Sequence, residues 1–367
     1  MNRPQMLCIA GGGTGGHVMP ALALADAARS KWPDLKVQFI GAERGLEARL
    51  LPERGESVLL LAMHGIKGAG LLQKIRVLGL ELPKAVLSIR RSWKGARPDL
   101  LVGVGGYASV SGVLAALTAS VPVVLYEQNA MPGLVNRRLA RFCDHIMLGF
   151  TAAASKLSTR AHIAVTGNIV RNSIGAIRWK CHQPPCLLVM GGSQGARILN
   201  ESVPDACSLL AQKGRSFTVT HIAGSDAEAR RSAINSYAKA GVKAEVLPFC
   251  DDMPAFYAGG DLLIARSGAM TVSEAAMCGM PAIYVPLPHA ADDHQRHNAL
   301  AQQGGAKIMD QKHISASRLA LEIEALLFDS EGLAAMSEEA LQQAPLDAVQ
   351  KQLEVLSLYL GKAGSKP

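Results

Sequence analysis

The stretch AGGGTGGHVMPA (residues 10–21) contains five glycines and ends its glycine run on His17. It follows an apolar segment (6–9) and precedes residues that suit a helix. Glycines between a strand and a helix let the backbone approach a phosphate, and the N–H groups that begin the helix point at its charge. The stretch therefore predicts a doubly wound α/β domain with an anion-binding loop.

The spacing Gly11-x-Gly13-x-x-Gly16 also matches the dinucleotide-binding fingerprint. That site places an acid about 20 residues further on, at the end of the second strand. Here Glu43 comes 30 residues after Gly13, which fits poorly. An NAD-dependent oxidoreductase is therefore kept as an alternative.

A second glycine loop, GGSQGAR (191–197), follows another apolar run and starts 180 residues after the first. Apolar runs alternate with helical segments along the chain, which is typical of parallel-sheet α/β proteins. The predicted strands are 5–10, 36–40, 57–61, 100–104, 121–126, 162–167, 186–190, 217–222, 242–247, 261–265 and 281–285. We therefore predict two doubly wound, Rossmann-like domains facing across a cleft, 1–170 and 171–344, with a C-terminal helix (345–362) packed back on the first.

Composition narrows the class of protein. The 367 residues suit two domains, and 49% hydrophobic against 19% charged residues indicates a folded chain. Aromatic residues make up only 4%, which argues against a nucleic-acid partner read by stacking. Seven cysteines, an odd number, argue against a disulfide framework, and no stretch reaches the ~18 apolar residues of a membrane span.

The net charge of +8 is concentrated in one stretch, residues 67–97. This basic stretch carries eight Lys or Arg residues and a single acid, Glu81. Its apolar residues can line one side of a helix, with Trp93 near the end. These apolar residues are Leu71, Leu72, Ile75, Leu78, Leu82, Val86 and Ile89. Pro83 is expected to break any single long helix here. The pattern predicts contact with an anionic membrane surface, and a core-facing helix with a solvated basic face is the alternative.

In the first half of the chain, one histidine and two polar segments lie directly at the ends of predicted strands or at the start of a predicted helix. His17 falls on the first helical turn, where the helix dipole disfavours a positive imidazole, and a neutral imidazole suits a general base. A capping role is the alternative. YEQNAMPG (126–133) and GVGGYAS (103–109), which includes Tyr107, lie at carboxyl ends of strands, where α/β sheets bind ligands.

In the second half, Ser193 and Gln194 lie in the second glycine loop, whose ring of backbone donors suits a diphosphate. Glu274 in RSGAMTVSEAAMCGMP (266–281) either accepts hydrogen bonds from a ribose diol or caps a helix. Gln295 in DDHQRHNA (292–299) both donates and accepts, which suits sugar hydroxyls. Asp251-Asp252 is expected to cap a helix rather than bind a metal.

Six motifs occur in one order across most of the chain: GGTGGH (12–17), GVGGYAS (103–109), EQN (127–129), GGSQGAR (191–197), SGAMTVSE (267–274) and DDHQ (292–295). Each is weak alone, but the set is specific. Together they resemble the peptidoglycan N-acetylglucosaminyltransferases of glycosyltransferase family 28, which form lipid II.

The resemblance implies a glycosyltransferase-B fold and inverting transfer of GlcNAc from UDP-GlcNAc to the 4-hydroxyl of MurNAc in undecaprenyl-pyrophosphoryl-MurNAc-pentapeptide (lipid I). It implies a UDP-sugar-binding C-terminal domain and an N-terminal domain that binds the acceptor and the membrane. It also implies a peripheral position at the cytoplasmic face of the inner membrane. A role in cell-wall biogenesis, cell shape and division follows, with cell-wall synthesis proteins as possible partners.

The resemblance also carries over donor-binding positions, motif by motif. They are Thr14, Gly15, Gly16, Asn129, Arg171, Ser193, the backbone at Cys250, Ala269, Met270, Thr271, Val272, Ser273, Glu274 and Gln295. Two positions depart from the family pattern: Tyr126 replaces a histidine before EQN, and Ile169 replaces a proline before Val170-Arg171.

An acceptor hydroxyl needs a base, for which His17 is the first candidate and Glu127 the second. Backbone N–H groups and helix dipoles can stabilise a UDP leaving group, so neither a metal nor a cofactor is expected. A non-catalytic nucleotide-sugar-binding protein is kept as a further alternative.

Overall fold

The structure is a computed structural model that describes residues 5–64, 70–192, 195–288 and 290–361. The chain divides into two compact units, which we call unit 1 (Met1–Ile169 with Asp347–Pro367) and unit 2 (Val170–Leu346). Each unit contains one parallel sheet covered by helices on both faces.

Unit 1 has a seven-stranded parallel sheet in the order β3-β2-β1-β4-β5-β6-β7. Its strands are β1 Met6–Gly11, β2 Lys36–Ala42, β3 Val58–Leu61, β4 Leu100–Gly105, β5 Val123–Glu127, β6 His145–Leu148 and β7 His162–Val165. The helices are α1 Gly15–Lys31, α2 Glu47–Glu53, α3 Leu71–Arg76, α4 Leu82–Ser92, α5 Tyr107–Thr118, α6 Leu134–Leu139 and, from the C-terminal segment, α15 Ala348–Ser357.

The strands of this sheet are apolar at successive positions because both faces are covered. Leu7 and Ile9 pack under α1 and α15, whereas Cys8 and Ala10 face α4 and α5. The C-terminal helix lies against α1 and buries Val355 and Leu356 in the same core.

Unit 2 has a six-stranded parallel sheet in the order β10-β9-β8-β11-β12-β13, again doubly wound. Its strands are β8 Cys186–Met190, β9 Thr218–Ile222, β10 Lys243–Leu247, β11 Leu262–Ala265, β12 Ala282–Tyr284 and β13 Ala306–Ile308. The helices are α7 Asn172–Gly175, α8 Arg197–Gln212, α9 Ala227–Lys239, α10 Met253–Ala258, α11 Ala269–Cys278, α12 His294–Leu300, α13 Ala316–Leu327 and α14 Ser330–Gln342.

All eleven predicted strands are present, and two more were missed. The missed strands, His145–Leu148 and Ala306–Ile308, have four and three residues and lie near an edge of each sheet. So few residues give neither a long apolar run nor a clear alternation.

The prediction that Pro83 breaks the basic stretch is wrong. Helical backbone runs from Leu71 to Ser92, through a π-helical turn at Val77–Glu81. The N–H of Leu82 donates to the carbonyl of Val77, five residues back, and Pro83 lies in the first turn of α4. A π turn at this point accommodates a proline that offers no N–H to the ordinary helical ladder.

Candidate active site

Three of the motifs meet at one edge of the sheet of unit 1. The strand order reverses between β1 and β4, and ligands of doubly wound sheets bind at the carboxyl ends of the strands beside such a reversal. The loops after β1, β4 and β5 carry GGTGGH, GVGGYAS and EQN, so this edge gathers the predicted residues of unit 1. Those residues are Thr14, Gly15, Gly16, His17, Tyr107, Glu127 and Asn129.

The first two of these loops touch through their backbones. Gly105 and Gly106 have φ of 102° and 81°, a region that favours glycine. The N–H of Gly12 donates to the carbonyl of Gly105 over 3.3 Å. A Cβ atom at Gly106 would lie 2.7 Å from the Gly12 oxygen, so only glycine allows this approach.

His17 lies in the first turn of α1 and is half-buried. Its Nδ1 is 3.1 Å from the carbonyl oxygen of Gly12. A carbonyl oxygen can only accept, so Nδ1 carries the proton in this contact, and Nε2 is the basic nitrogen of the neutral ring. The Nε2 atom lies only 2.8 Å from the position that a Cβ atom at Gly105 would occupy. The ring therefore lies directly beside the GVGGYAS loop.

A residue that sequence reasoning missed, Glu47, shapes the first loop. It is 1% exposed, and its Oε2 accepts from the N–H of Gly13 over 2.7 Å. Its Oε1 accepts from the N–H of Ala42 over 2.9 Å. The Gly13 N–H therefore meets an internal carboxylate, contrary to the expectation that the loop's amides face a phosphate. No local pattern links Glu47 to residue 13, because β1–β2 pairing brings them together.

Glu127 is 2% exposed and is held by the loop that follows it. Its Oε1 accepts from the backbone N–H of Asn129 over 2.9 Å and from the Asn129 amide over 3.1 Å. Its Oε2 accepts from the N–H of Gly133 over 3.0 Å and from the Asn136 amide over 2.8 Å. Four donors on one buried carboxylate indicate that Glu127 fixes this loop.

Tyr126, which departs from the family pattern, is fully buried in the sheet. Its hydroxyl donates to Oδ1 of Asn168 over 3.0 Å, and the Asn168 amide donates to the carbonyl of Gln128 over 3.0 Å. Burial raises the pKa of Tyr126 to about 12. The tyrosine is thus a neutral hydrogen-bonding group that connects the EQN loop to Asn168, near the end of the first chain segment of unit 1.

In unit 2 the strand order reverses between β8 and β11, so the loops of GGSQGAR and SGAMTVSE lie at neighbouring strand ends. Ser193 and Gln194 lie outside the described residues. A Cβ atom at Gly195 would come within 2.4 Å of the Ala223 carbonyl oxygen, so the loop passes close to the end of β9.

Glu274 and Arg171, two of the predicted donor contacts, lie close together in unit 2. Arg171 Nη2 lies 3.6 Å from Glu274 Oε1, and the Tyr257 hydroxyl donates to Glu274 Oε2 over 3.2 Å. Burial raises the pKa of the Glu274 carboxyl above its ordinary value, while Arg171 and Tyr257 act in the opposite direction. The carboxylate side chain keeps 13% exposure, and α11 is capped at Gly268 without it.

The other predicted donor contacts of unit 2 occupy strand ends and helix starts. Ala269, Met270, Thr271, Val272 and Ser273 form the beginning of α11, and Val272 and Ser273 are buried. Cys250 is half-buried after β10. Asp252 accepts from the N–H of Ala255 over 3.0 Å, so the expected helix cap is confirmed.

Gln295 is placed by a strained turn. Asp292 and Asp293 have φ of 53° and 52°, an uncommon conformation for a non-glycine residue. Gln295 Oε1 accepts from the N–H of Leu287 over 2.9 Å, and its backbone oxygen accepts from the Ser267 hydroxyl over 2.8 Å. The second bond ties DDHQ to SGAMTVSE. Within the described ranges, no group of three or more His, Cys, Asp or Glu residues could hold a metal ion.

The basic stretch presents an apolar face to solvent that includes two of the predicted residues, Ile75 and Leu78. The side chains of Leu71 and Leu72, which were also predicted for this face, lie outside the described residues. Ile89 and Trp93 are buried in unit 1, and the Trp93 indole donates to Gln38 Oε1 over 3.0 Å. Among the described side chains of this stretch, the large apolar ones that are exposed are Ile75, Leu78, Leu80 and Leu87, at 50–59% exposure. Ile89 and Trp93 follow the alternative prediction, a core-facing helix, because these residues complete the core under α4.

Next to this face, a groove of about 790 Å³ runs between α4 and α5. Its lining is Leu82, Pro83, Val86, Leu87, Arg90, Arg91, Lys94, Leu114 and Thr118. The single acid of the stretch, Glu81, accepts from the backbone N–H of His64, which lowers its pKa, and pairs with Arg76 at 3.3 Å. No helix among residues 5–64, 70–192, 195–288 and 290–361 is long and apolar enough to cross a membrane.

Comparison with known proteins identifies the class. The glycosyltransferase family 28 N-terminal domain matches residues 7–148, and the family 28 C-terminal domain matches residues 186–353. The chain belongs to glycosyltransferase family 28, and its two doubly wound units are those of the glycosyltransferase-B architecture.

The relatives of the chain carry the name of one particular enzyme within this family. A UDP-N-acetylglucosamine–N-acetylmuramyl-(pentapeptide) pyrophosphoryl-undecaprenol N-acetylglucosamine transferase from Magnetococcus marinus is 42% identical, over 83% of this chain and 84% of the relative. The enzyme of the same name from Aeromonas hydrophila is 39% identical over 95% of each chain. The crystal structure of Acinetobacter baumannii MurG matches with a TM-score of 0.79 at 32% identity, over 97% of this chain and 99% of that one.

Proposed function

We propose that this chain transfers GlcNAc from UDP-GlcNAc to the 4-hydroxyl of MurNAc in undecaprenyl-pyrophosphoryl-MurNAc-pentapeptide, with release of UDP. The observation that carries the proposal is similarity to transferases of this name over 95% of both chain lengths. The NAD-dependent alternative rested on the first glycine loop, where Glu47 already occupies the Gly13 N–H.

His17 is the proposed general base. Its Nε2 takes the proton of the acceptor hydroxyl as the oxygen bonds to C1 of GlcNAc. The bond from C1 to the diphosphate oxygen breaks on the opposite face, and the electron pair leaves with UDP. One bond forms and one breaks at C1, and because they lie on opposite faces the anomeric centre inverts.

Glu127 fits the role of base less well than His17. Each of its oxygens accepts two hydrogen bonds, three from its own loop and one from Asn136 on α6, and the group is 2% exposed. A base needs a lone pair directed at the hydroxyl that it deprotonates. We assign Glu127 to holding Asn129 and the rest of the EQN loop in place.

Unit 2 is the proposed donor site. The half-buried Glu274 carboxylate, beside Arg171, offers acceptors for the ribose hydroxyls, and Gln295 offers an amide for the sugar. The N-terminal turn of α11 and the second glycine loop would meet the diphosphate with backbone N–H groups and the positive end of a helix dipole. The leaving UDP would be stabilised in this way without a metal.

The first experiment is transfer of labelled GlcNAc from UDP-GlcNAc to a lipid-linked MurNAc-pentapeptide in the presence of EDTA. Transfer is the expected result. Binding of UDP-GlcNAc without transfer, even after magnesium is restored, would favour a non-catalytic binding protein. Binding of NADH without binding of UDP-GlcNAc would favour the alternative function, an NAD-dependent oxidoreductase.

The variant His17→Ala tests the base. We expect kcat to fall by about 10²–10⁴-fold with little change in donor affinity, because a base acts on the chemical step. Glu127→Ala should lower kcat together with thermal stability, since it removes four hydrogen bonds. A near-normal kcat in His17→Ala would remove His17 from this role.

We further propose that the basic stretch places the chain peripherally on the anionic cytoplasmic face of the inner membrane. Its exposed leucines and isoleucine would enter the headgroup region, while Arg90, Arg91 and Lys94 beside the groove would meet anionic lipid. Changing these three cations to Gln should weaken binding to anionic vesicles by roughly 3 kcal/mol and spare turnover of a soluble acceptor. Unchanged vesicle binding would contradict this proposal and favour the alternative, a core-facing helix with a solvated basic face.

A further inference from the structure

One peptide group in the first glycine loop carries hydrogen bonds on both of its sides. Its N–H, from Gly13, donates to Glu47 Oε2 over 2.7 Å. Its carbonyl, from Gly12, lies 3.1 Å from His17 Nδ1 and accepts from it. Glu47 and His17 are therefore connected through a single planar amide, although the two side chains are 30 positions apart in the sequence.

We propose that Glu47 is a positioning residue for His17: through the Gly12–Gly13 peptide group it keeps the imidazole proton on Nδ1 and so leaves Nε2 to accept the proton of the acceptor hydroxyl. The inference rests on the proposed role of His17 as base. It assigns the orientation of that base to a carboxylate that does not touch it.

The physical link is the resonance of the amide. The N–C=O unit is conjugated. A negative group that accepts from its N–H therefore shifts electron density from the nitrogen to the carbonyl oxygen. Chains of hydrogen bonds strengthen one another by about 10–30% per bond in a low-dielectric interior. The Gly12 oxygen thus becomes a better acceptor for the Nδ1 proton, and an imidazolium formed during the reaction is stabilised. A carboxylate that orients a histidine directly has the same effect, and here one peptide group lies between them.

The surroundings of Glu47 fit this task. The side chain is 1% exposed, and its second oxygen is fixed by the Ala42 N–H over 2.9 Å. Cβ atoms at Gly12, Gly41 and Gly45 would each come within 2.2–2.3 Å of Glu47. Three glycines from two segments therefore leave room for one carboxylate, whose position is fixed from several sides.

The test compares Glu47→Gln with the wild type. Gln keeps the size of the side chain and one acceptor oxygen, but it removes the charge and places an NH2 donor against one of the two N–H groups that Glu47 accepts from. We expect kcat at neutral pH to fall by about tenfold or more, with KM for UDP-GlcNAc within about twofold. The acid limb of the kcat–pH profile should move to lower pH, because the imidazolium loses a negative partner. Nitrogen-15 NMR of His17 should change from the Nδ1–H form toward a mixture of tautomers.

The control is Glu56→Gln in the same unit. Glu56 has a nearly buried side chain that binds Arg29 and has no contact with the loop. This variant should retain the wild-type kcat, pH limb and His17 spectrum. A purely structural role for Glu47 predicts a lower melting temperature with the pH limb and the tautomer unchanged, and that result would overturn the proposal.

Two outcomes separate this inference from the proposed function. If His17→Ala abolishes turnover while Glu47→Gln retains the wild-type limb and tautomer, the base stands and the positioning role fails. If His17→Ala retains turnover, the proposed base itself fails. Where Glu47→Gln does not fold, the wild-type spectrum decides, since a resting His17 with its proton on Nε2 contradicts the proposal.

Discussion

The exposed apolar face of the basic stretch gives the prediction with the best-defined magnitude. Leu78, Leu80 and Leu87 are 54%, 59% and 50% exposed. Complete burial of a leucine side chain contributes about 1.5–3 kcal/mol, so transfer of the exposed half into the lipid interface contributes roughly 1 kcal/mol. Changing all three leucines to serine should therefore weaken vesicle binding by about 3 kcal/mol, or on the order of 100-fold.

The assay is co-sedimentation of the protein with vesicles that contain anionic phospholipid. The matched control changes Leu321, Leu346 and Leu358 to serine, because they are 60%, 65% and 51% exposed and lie outside the basic stretch. The control should bind vesicles like the wild type. Both triple variants should unfold at nearly the wild-type temperature, since substitutions at exposed positions cost little stability.

The reasoning would be refuted by a loss of vesicle binding below about threefold in the first triple variant, which corresponds to less than 1 kcal/mol. An equal loss in the control would also refute it, because binding would then depend on general surface hydrophobicity. Raising the salt concentration should weaken the remaining binding of the leucine variant, since its cations still meet the lipid charge.

Gly105→Ala should lower kcat by about tenfold or more while the fold is retained, because the new Cβ meets His17 Nε2 at 2.8 Å and φ is 102°; normal steady-state kinetics would exclude this close contact as important. Glu274→Gln should weaken UDP-GlcNAc binding in calorimetry and yet raise the melting temperature near pH 8, because burial raises the pKa of Glu274, so its stabilising contribution is present at low pH and lost as pH rises. A lower melting temperature at pH 8 would contradict that assignment. Burial lowers the pKa of His221 to about 4, so its stabilising contribution is present above pH ~6.5 and lost as pH falls toward 4; His221→Gln should flatten the melting curve against pH over this window, and an unchanged slope would exclude His221 as the cause.

Much of the fold could be predicted from local patterns. The eleven apolar runs predicted as strands all form strands, and both glycine loops join a strand to a helix. Asp252 caps its helix as expected. These features depend on residues within one or two turns of one another, so short windows of sequence contain the relevant information.

The sites could be predicted only in part. The motifs predicted which loops form the sites, and the sheet brings three of these loops to one edge in unit 1. The partners of those residues were not predictable, because Tyr257 reaches Glu274 across 17 positions and Glu47 reaches Gly13 across 34. The exposed members of the basic stretch were predicted only in part: Ile75 and Leu78 are exposed as predicted, whereas Leu80 and Leu87 were missed. A helix buried on one side divides its apolar residues between core and solvent according to what packs beneath it.

The sequence by itself determined that this chain folds into two doubly wound α/β domains, with glycine loops, acidic and amide residues at strand ends, and one strongly basic stretch. The tertiary structure alone decided which carboxylate shapes the first loop, which nitrogen of His17 carries the proton, and which leucines meet solvent. The physical reason is one of range. Strand and helix propensities act between near neighbours, whereas the bonds of the first glycine loop to Glu47 and Gly105 depend on the pairing of β1 with β2 and β4, which no local pattern specifies.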